Sequence, residues 1–213
     1  MKLVDLTVKD FLDELASSSP APGGGSVSAF AGANGCSLML MVGSLTIGKK
    51  KFKALDENVQ STYHEKLKIF ERNKTEFLKF VDLDTDAFNT LMSAFKLPKE
   101  TEEDIAIRTK EIDMATLGCI KVPLMVSALG LESLRAVEDL IEYSNKNTIS
   151  DQGVSILMLY SAIEGAAMNV LINLPGLTDE KLKKEFTQTI NDILLEAEQL
   201  KDKLLEEIRY LLK

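Results

Sequence analysis

The chain has 213 residues, 45% of them hydrophobic, and a formal net charge of −8. That is enough apolar material for a substantial core in one domain over residues 1–213, and the negative balance argues against a nucleic-acid partner, since phosphate recognition draws its affinity from a basic surface. Cys36 and Cys119 lack metal-ligand spacing and the lone His64 has no partner motif, so no metal site is expected.

The N-terminal segment mixes acids with its apolar residues and has no signal-peptide pattern, which leads us to expect a reduced, cytoplasmic setting. Thr7 followed by Asp10 resembles a capping box and predicts a helix through about Ala16, with Val8, Phe11, Leu12 and Leu15 on one face. Ser17 to Gly25 breaks it. Ser26 reads as the N-cap of a second helix reaching about Gly48, whose Ala29, Gly32, Ala33 and Gly35 would let neighbouring backbones come close. No charge lies between Leu15 and Gly48, and Lys49-Lys50-Lys51 follows, a pattern also compatible with a membrane-spanning helix. The abundance of Ser, Gly, Pro and Asn in the run favours a central helix buried on all sides, so no membrane partner is expected.

A charged helical segment runs from about Leu55 to Phe95 and stops before Pro98. Thr101 with Asp104 repeats the capping spacing for a helix bent or interrupted near Gly118 to Pro123, and another helix is predicted from Pro123 to about Tyr143. Ser150 opens the next, to about Leu174, and Thr178 with Asp179 and Glu180 opens the last. Strand-like alternation is hard to find, so the prediction is an all-α bundle of seven to nine helices.

Three features stand out as candidate chemistry. Phe77, Val81, Phe88, Leu91 and Phe95 recur at steps of three and four, and Asp84 fills the slot between Val81 and Phe88. A carboxylate facing a core must find hydrogen bonds, take up a proton or line a cleft; the last two suit an acid/base catalyst, while a slight rotation of the helix would put Asp84 at the rim instead. Asn169 and Asn173 share a face that continues Ala162 and Ala166, and such amides either bond a neighbouring segment or read the edge of a heterocycle. Asp151, beside Ser150, is open to the same two readings, as a helix-start residue or a ligand contact. Lys49, Lys50, Lys51 and Lys53 form a basic cluster that either complements a helix C-terminus or captures an anionic tail.

The stretch Pro20-Ala21-Pro22-Gly23-Gly24-Gly25-Ser26 lacks the lysine and hydroxyl of a phosphate loop and the spacing of a dinucleotide fingerprint. It reads as a rigid turn delivering free N–H groups to a helix start, where a polar ligand group could sit.

In the same order along the chain, PAPGGGSVSAFAGANGCSLMLMVGSLTIGKKKF, DLDTDAF, Val122-Pro123-Leu124, SNKNTISD and NVLINLPGLTDE resemble the formiminotetrahydrofolate cyclodeaminase family. The resemblance implies an all-α homodimer that converts 5-formiminotetrahydrofolate to 5,10-methenyltetrahydrofolate and ammonia, a step linked to histidine breakdown, with no cofactor beyond the tetrahydrofolate substrate. It also implies a catalytic aspartate in the DLDTDAF segment, which falls on Asp84. Pro22, Gly23, Gly24, Gly25, Ser26, Asp151, Asn169 and Asn173 are then candidates to hold the folate or orient the acid, and Lys49 and Lys50 to hold a polyglutamate tail. Some members of the family are methenyltetrahydrofolate cyclohydrolases, and a non-catalytic folate-binding protein is a further alternative. Ser144-Asn145 stands where the family often has Gly-Asn, a change expected to alter a turn if positive φ is needed there.

Overall fold

The computed structural model describes residues 2–213. Among them the chain forms α1 (Val8–Leu15), α2 (Gly24–Ile47), α3 (Lys50–Lys53), α4 (Glu57–Ala94), α5 (Glu102–Glu138), α6 (Ile149–Asn173) and α7 (Glu180–Leu211), with short 3-10 turns at Leu3–Asp5, Lys146–Thr148 and Leu174–Gly176 and no strand. The fold is an all-α bundle.

The capping signals act where the sequence places them. The Thr7 hydroxyl accepts from the Asp10 N–H at the start of α1, Thr101 and Asp104 form a reciprocal capping box at α5, and Asp179 accepts from Lys181 and Leu182 at α7. The apolar face predicted for α1 is only partly used: Phe11 packs on Phe30, but Val8 and Leu12 remain exposed.

Helix α2 lies between α4 and α6, and its small residues explain how close they come. A Cβ at Gly32 would sit 2.5 Å from the Phe77 ring, at Gly35 2.7 Å from Leu159, and at Gly43 2.6 Å from Leu67. Cores are packed to near crystal density, so these glycines are fixed by their neighbours. The expectation that α2 is buried on all sides needs correction, because Val27, Met41 and Leu45 are exposed along one edge.

Two helices predicted on either side of Pro123 are in fact one, α5, with Pro123 inside it. A proline removes the N–H that would bond the carbonyl four residues earlier, here Cys119. Asn173 of α6 supplies the missing donor, its Nδ2 lying 3.3 Å from the Cys119 carbonyl oxygen. The Ser144-Asn145 turn likewise needs no left-handed residue, since no non-glycine residue among those described has positive φ. Ser144 is buried, donating to the Leu140 carbonyl and meeting the Tyr63 hydroxyl at 2.9 Å.

By length and apolarity alone, Gly24–Ile47, Glu102–Glu138 and Lys146–Gly176 could each cross a membrane. In the bundle they are the inner helices, and about half of the most apolar window of each is buried against the others and against the charged, amphipathic α4 and α7.

Candidate active site

The start of α2 meets the middle of α4. Gly23 is the N-cap of α2, in extended backbone, so the helix begins a turn earlier than predicted and Ser26 is not its cap. The Ser26 hydroxyl turns across the bundle, donating to the Val81 carbonyl at 2.7 Å and lying 3.4 Å from Asp84 Oδ2 and 3.2 Å from Thr85 Oγ1. The first N–H groups of a helix have no partner within it; that of Ser26 donates to Asp84.

This geometry explains one glycine of the three. A Cβ at Gly25 would fall 2.0 Å from Asp84 Oδ1, so the carboxylate occupies the volume a side chain would need. At Gly24 the nearest atom would be Asn169 Nδ2, at 3.2 Å, and around Gly23 the space is open. Pro22 stands just ahead of this turn.

Asp84 is half-buried. Burial pushes its carboxyl above the usual carboxylate range, and the two hydrogen bonds from Ser26 pull part of the way back. Its charge is felt by Cys119, whose thiol is pushed up to about 11 by burial first and by Asp84 second. Asp84 therefore stands in a partly desolvated corner as a carboxylate whose two protonation states are closer in energy than in water. It can exchange a proton with a bound group.

Asn169 reaches this corner from α6, its Nδ2 donating to the Gly165 carbonyl at 2.8 Å within its own helix. Asn173, one turn further, donates to Asn169 and to the carbonyl that Pro123 leaves free. Its amide therefore has a structural duty that periodicity along α6 could not show. Nothing in the helical period marks Thr85 as a neighbour of this corner, and Cys119, set aside as a metal ligand, signals its place only by lying four residues before Pro123.

The remaining candidates lie elsewhere. Asp151 is in the first turn of α6, and Lys49 and Lys50 follow the end of α2, a helix of 24 residues and hence about 35 Å long. Lys49, Lys50, Lys51 and Lys146 line a cavity of about 610 Å³ with Phe52 and Asn145. The structure thus gathers Pro22, Gly23, Gly24, Gly25, Ser26, Asp84, Asn169 and Asn173 at one end of α2 and leaves Lys49, Lys50 and Asp151 toward the other.

Known proteins resemble the chain along most of its length. The formiminotransferase-cyclodeaminase family matches residues 7–207. A methenyltetrahydrofolate cyclohydrolase of Methylorubrum extorquens is 36% identical over 203 residues, covering 95% of this chain and 96% of that one. The formimidoyltransferase-cyclodeaminase of Rattus norvegicus is 34% identical over 195 residues, or 92% of this chain, which spans only 35% of that longer protein. The crystal structure of formiminotetrahydrofolate cyclodeaminase from Thermotoga maritima superposes with a TM-score of 0.82 at 28% identity, covering 96% of this chain and 98% of that one. The chain belongs to the formiminotransferase-cyclodeaminase family.

Proposed function

We propose that this chain is a formiminotetrahydrofolate cyclodeaminase in which Asp84 moves the proton. The observation that carries the reading is the Asp84 carboxylate, half-buried against the first turn of α2 and raised above its usual pKa by that burial. In the reaction N10 of the folate attacks the formimino carbon on N5, closing a five-membered ring, and the tetrahedral centre then releases ammonia. The N10–H bond must break and the departing nitrogen must gain a proton. A carboxylate beside both nitrogens takes the first proton and returns one to the second, so no net change falls on the enzyme. Ring closure is intramolecular, and holding N10 against the carbon contributes much of the acceleration.

The N–H groups of Gly24 and Gly25, in the first turn of α2 where the helix supplies no acceptor, suit a polar edge of the pterin, and the Asn169 amide lies beside Gly24. Lys49 and Lys50 suit the glutamate tail, on the grounds of their charge and the cavity they line.

A second reading is favoured by the 36% identity, along the full length of both chains, to a methenyltetrahydrofolate cyclohydrolase. There the same carboxylate takes a proton from water as it adds to the methenyl carbon. Incubation with 5-formiminotetrahydrofolate, following methenyl absorbance and ammonia together, is expected to give both in equal amounts. Absorbance decay from methenyltetrahydrofolate, with no ammonia from the formimino compound, would replace the first reading by the second. Binding of both folates without turnover would leave a binding protein.

A further inference from the structure

The hydroxyls of α4 follow a pattern that Thr85 breaks. Thr75, Thr90 and Ser93 each donate to the carbonyl four residues earlier in the helix. For Thr85 that carbonyl is Val81, which takes the proton of Ser26 from α2 at 2.7 Å, and Thr85 Oγ1 instead meets Ser26 Oγ at 3.2 Å. A hydroxyl has one proton and two acceptor lone pairs. With the Ser26 proton on Val81, Thr85 is the donor of the pair. Ser26 is wholly buried, and its Oγ also lies 3.4 Å from Asp84 Oδ2.

The Ser26 proton thus has two acceptors and can turn between them without stranding either. The Val81 carbonyl lies inside α4, where the Thr85 N–H already bonds it, so it loses only a second donor when the hydroxyl turns away. An ionised Asp84 gains from that turn, because a hydrogen bond to a carboxylate is roughly twice as strong as one between neutral groups. A protonated Asp84 has no such need. Thr85 acts on both states. Its donation polarises Ser26 and makes it a better donor to the carboxylate. It also occupies a Ser26 lone pair that the protonated carboxyl would otherwise use, which leaves the Asp84 proton for a bound group.

We propose that Thr85 is a positioning residue of the Asp84 corner: by donating to Ser26 it leaves the Ser26 proton as the movable one, turned to Asp84 when the carboxylate is ionised and to the Val81 carbonyl when the carboxyl is protonated. The hydroxyls exchange only hydrogen bonds. The covalent transfer runs from the substrate N–H to Asp84 and, in the return step, from Asp84 to the leaving nitrogen. That transfer rests on the folate reading; the hydroxyl arrangement does not. Removing Thr85 weakens the donor to the ionised form and frees an acceptor for the protonated form, and both raise the pH at which Asp84 titrates. Around Asp84, α2 has no charged residue, α6 brings the Asn169 amide to Gly24 while its Glu164 accepts from Tyr160, and α5 brings the Cys119 thiol, which at about 11 stays neutral where a carboxyl titrates. Asp82 and Asp86, two positions either side of Asp84, lie on other faces of α4, and Asp82 accepts from the Leu3 N–H.

The test follows the Asp84 carboxyl directly. In the full chain, isotope-labelled at the aspartate carboxyls, its NMR signal is identified by its absence from Asp84→Asn and followed against pH. Thr85→Val and Thr85→Ala are each expected to raise its midpoint by at least about 0.5 pH unit, whereas Thr85→Ser keeps the hydroxyl and should titrate with the wild type. Ser26→Ala alone should also raise it. Thr85→Val added to Ser26→Ala should then move it less than half as far as it does in the wild type, because the hydroxyl it acts through is gone. An unmoved midpoint in Thr85→Val and Thr85→Ala, a Thr85→Ser shift as large as that of Thr85→Val, or an undiminished shift on the Ser26→Ala background each overturns the proposal whatever the activity. For the folate that is turned over, the acidic limb of kcat/KM should move up with the NMR midpoint in Thr85→Val; a limb that stays in place overturns the positioning role. The expected NMR shifts with no turnover of any folate keep the hydroxyl arrangement and remove the folate reading.

Discussion

Asp84 is held where its chemistry and its effect on stability oppose each other. Burial raises its pKa in the folded chain, so between the ordinary carboxylate value and the raised one the folded state binds more proton than the unfolded state. Stability is then fully present below that window and falls as pH rises through it. Asp84→Asn removes this loss, and its melting temperature near pH 7.5 is expected to equal or exceed that of the wild type, while turnover drops at least about a hundredfold. Near-normal turnover would remove Asp84 from the mechanism. For the wild type, kcat/KM should fall with acidity around a pKa above the usual carboxylate range, and that limb should vanish in the variant. Gly25→Ala tests the same corner from the other side: its Cβ must displace the Asp84 carboxylate, and activity is expected to fall more than about tenfold. Combined with Asp84→Asn it should add little, since both act through one group; additive losses would show that Gly25 matters for another reason.

At the scale of the element, α5 shows how a neighbour overrides a local rule. Pro123 would be expected to end or bend the helix, yet α5 runs through it and Asn173 donates to the carbonyl it frees. Asn173→Ala leaves that carbonyl without its donor and is expected to cost about 1–3 kcal/mol in denaturant unfolding. In a Pro123→Ala background the backbone N–H returns, and the same change should cost less by at least about 0.5 kcal/mol. Equal costs in both backgrounds would show that the two residues are not coupled. The helix starts at Thr7, Thr101 and Asp179 were readable because capping depends on residues three apart or fewer. Ser26 is a good cap by type, but α2 has Gly23 as its N-cap, and the Ser26 hydroxyl, which as a cap would accept from a backbone N–H, donates to the Val81 carbonyl of another helix.

For the whole molecule, the cavity lined by Lys49, Lys50, Lys51 and Lys146, with Glu142 also at its wall, gathers cations on a chain of net charge −8. Polyglutamylated folate is expected to bind more tightly than the monoglutamate at low salt, and the advantage should shrink as ionic strength passes about 0.15 M and disappear in Lys49→Ala with Lys50→Ala. Equal affinities at low salt would leave the cluster as an ordinary helix-end feature. The sequence by itself determined the all-α class, most helix limits, the family resemblance and the singular position of Asp84, because each of these follows from spacing within a few turns or from the order of motifs along the chain. Tertiary structure decided which of the marked residues share a space: Gly25 against Asp84, Asn173 against the carbonyl freed by Pro123, and the lysines a helix length away. Periodicity fixes the face on which a side chain lies, but only the packing of helices distant in sequence fixes what that face meets.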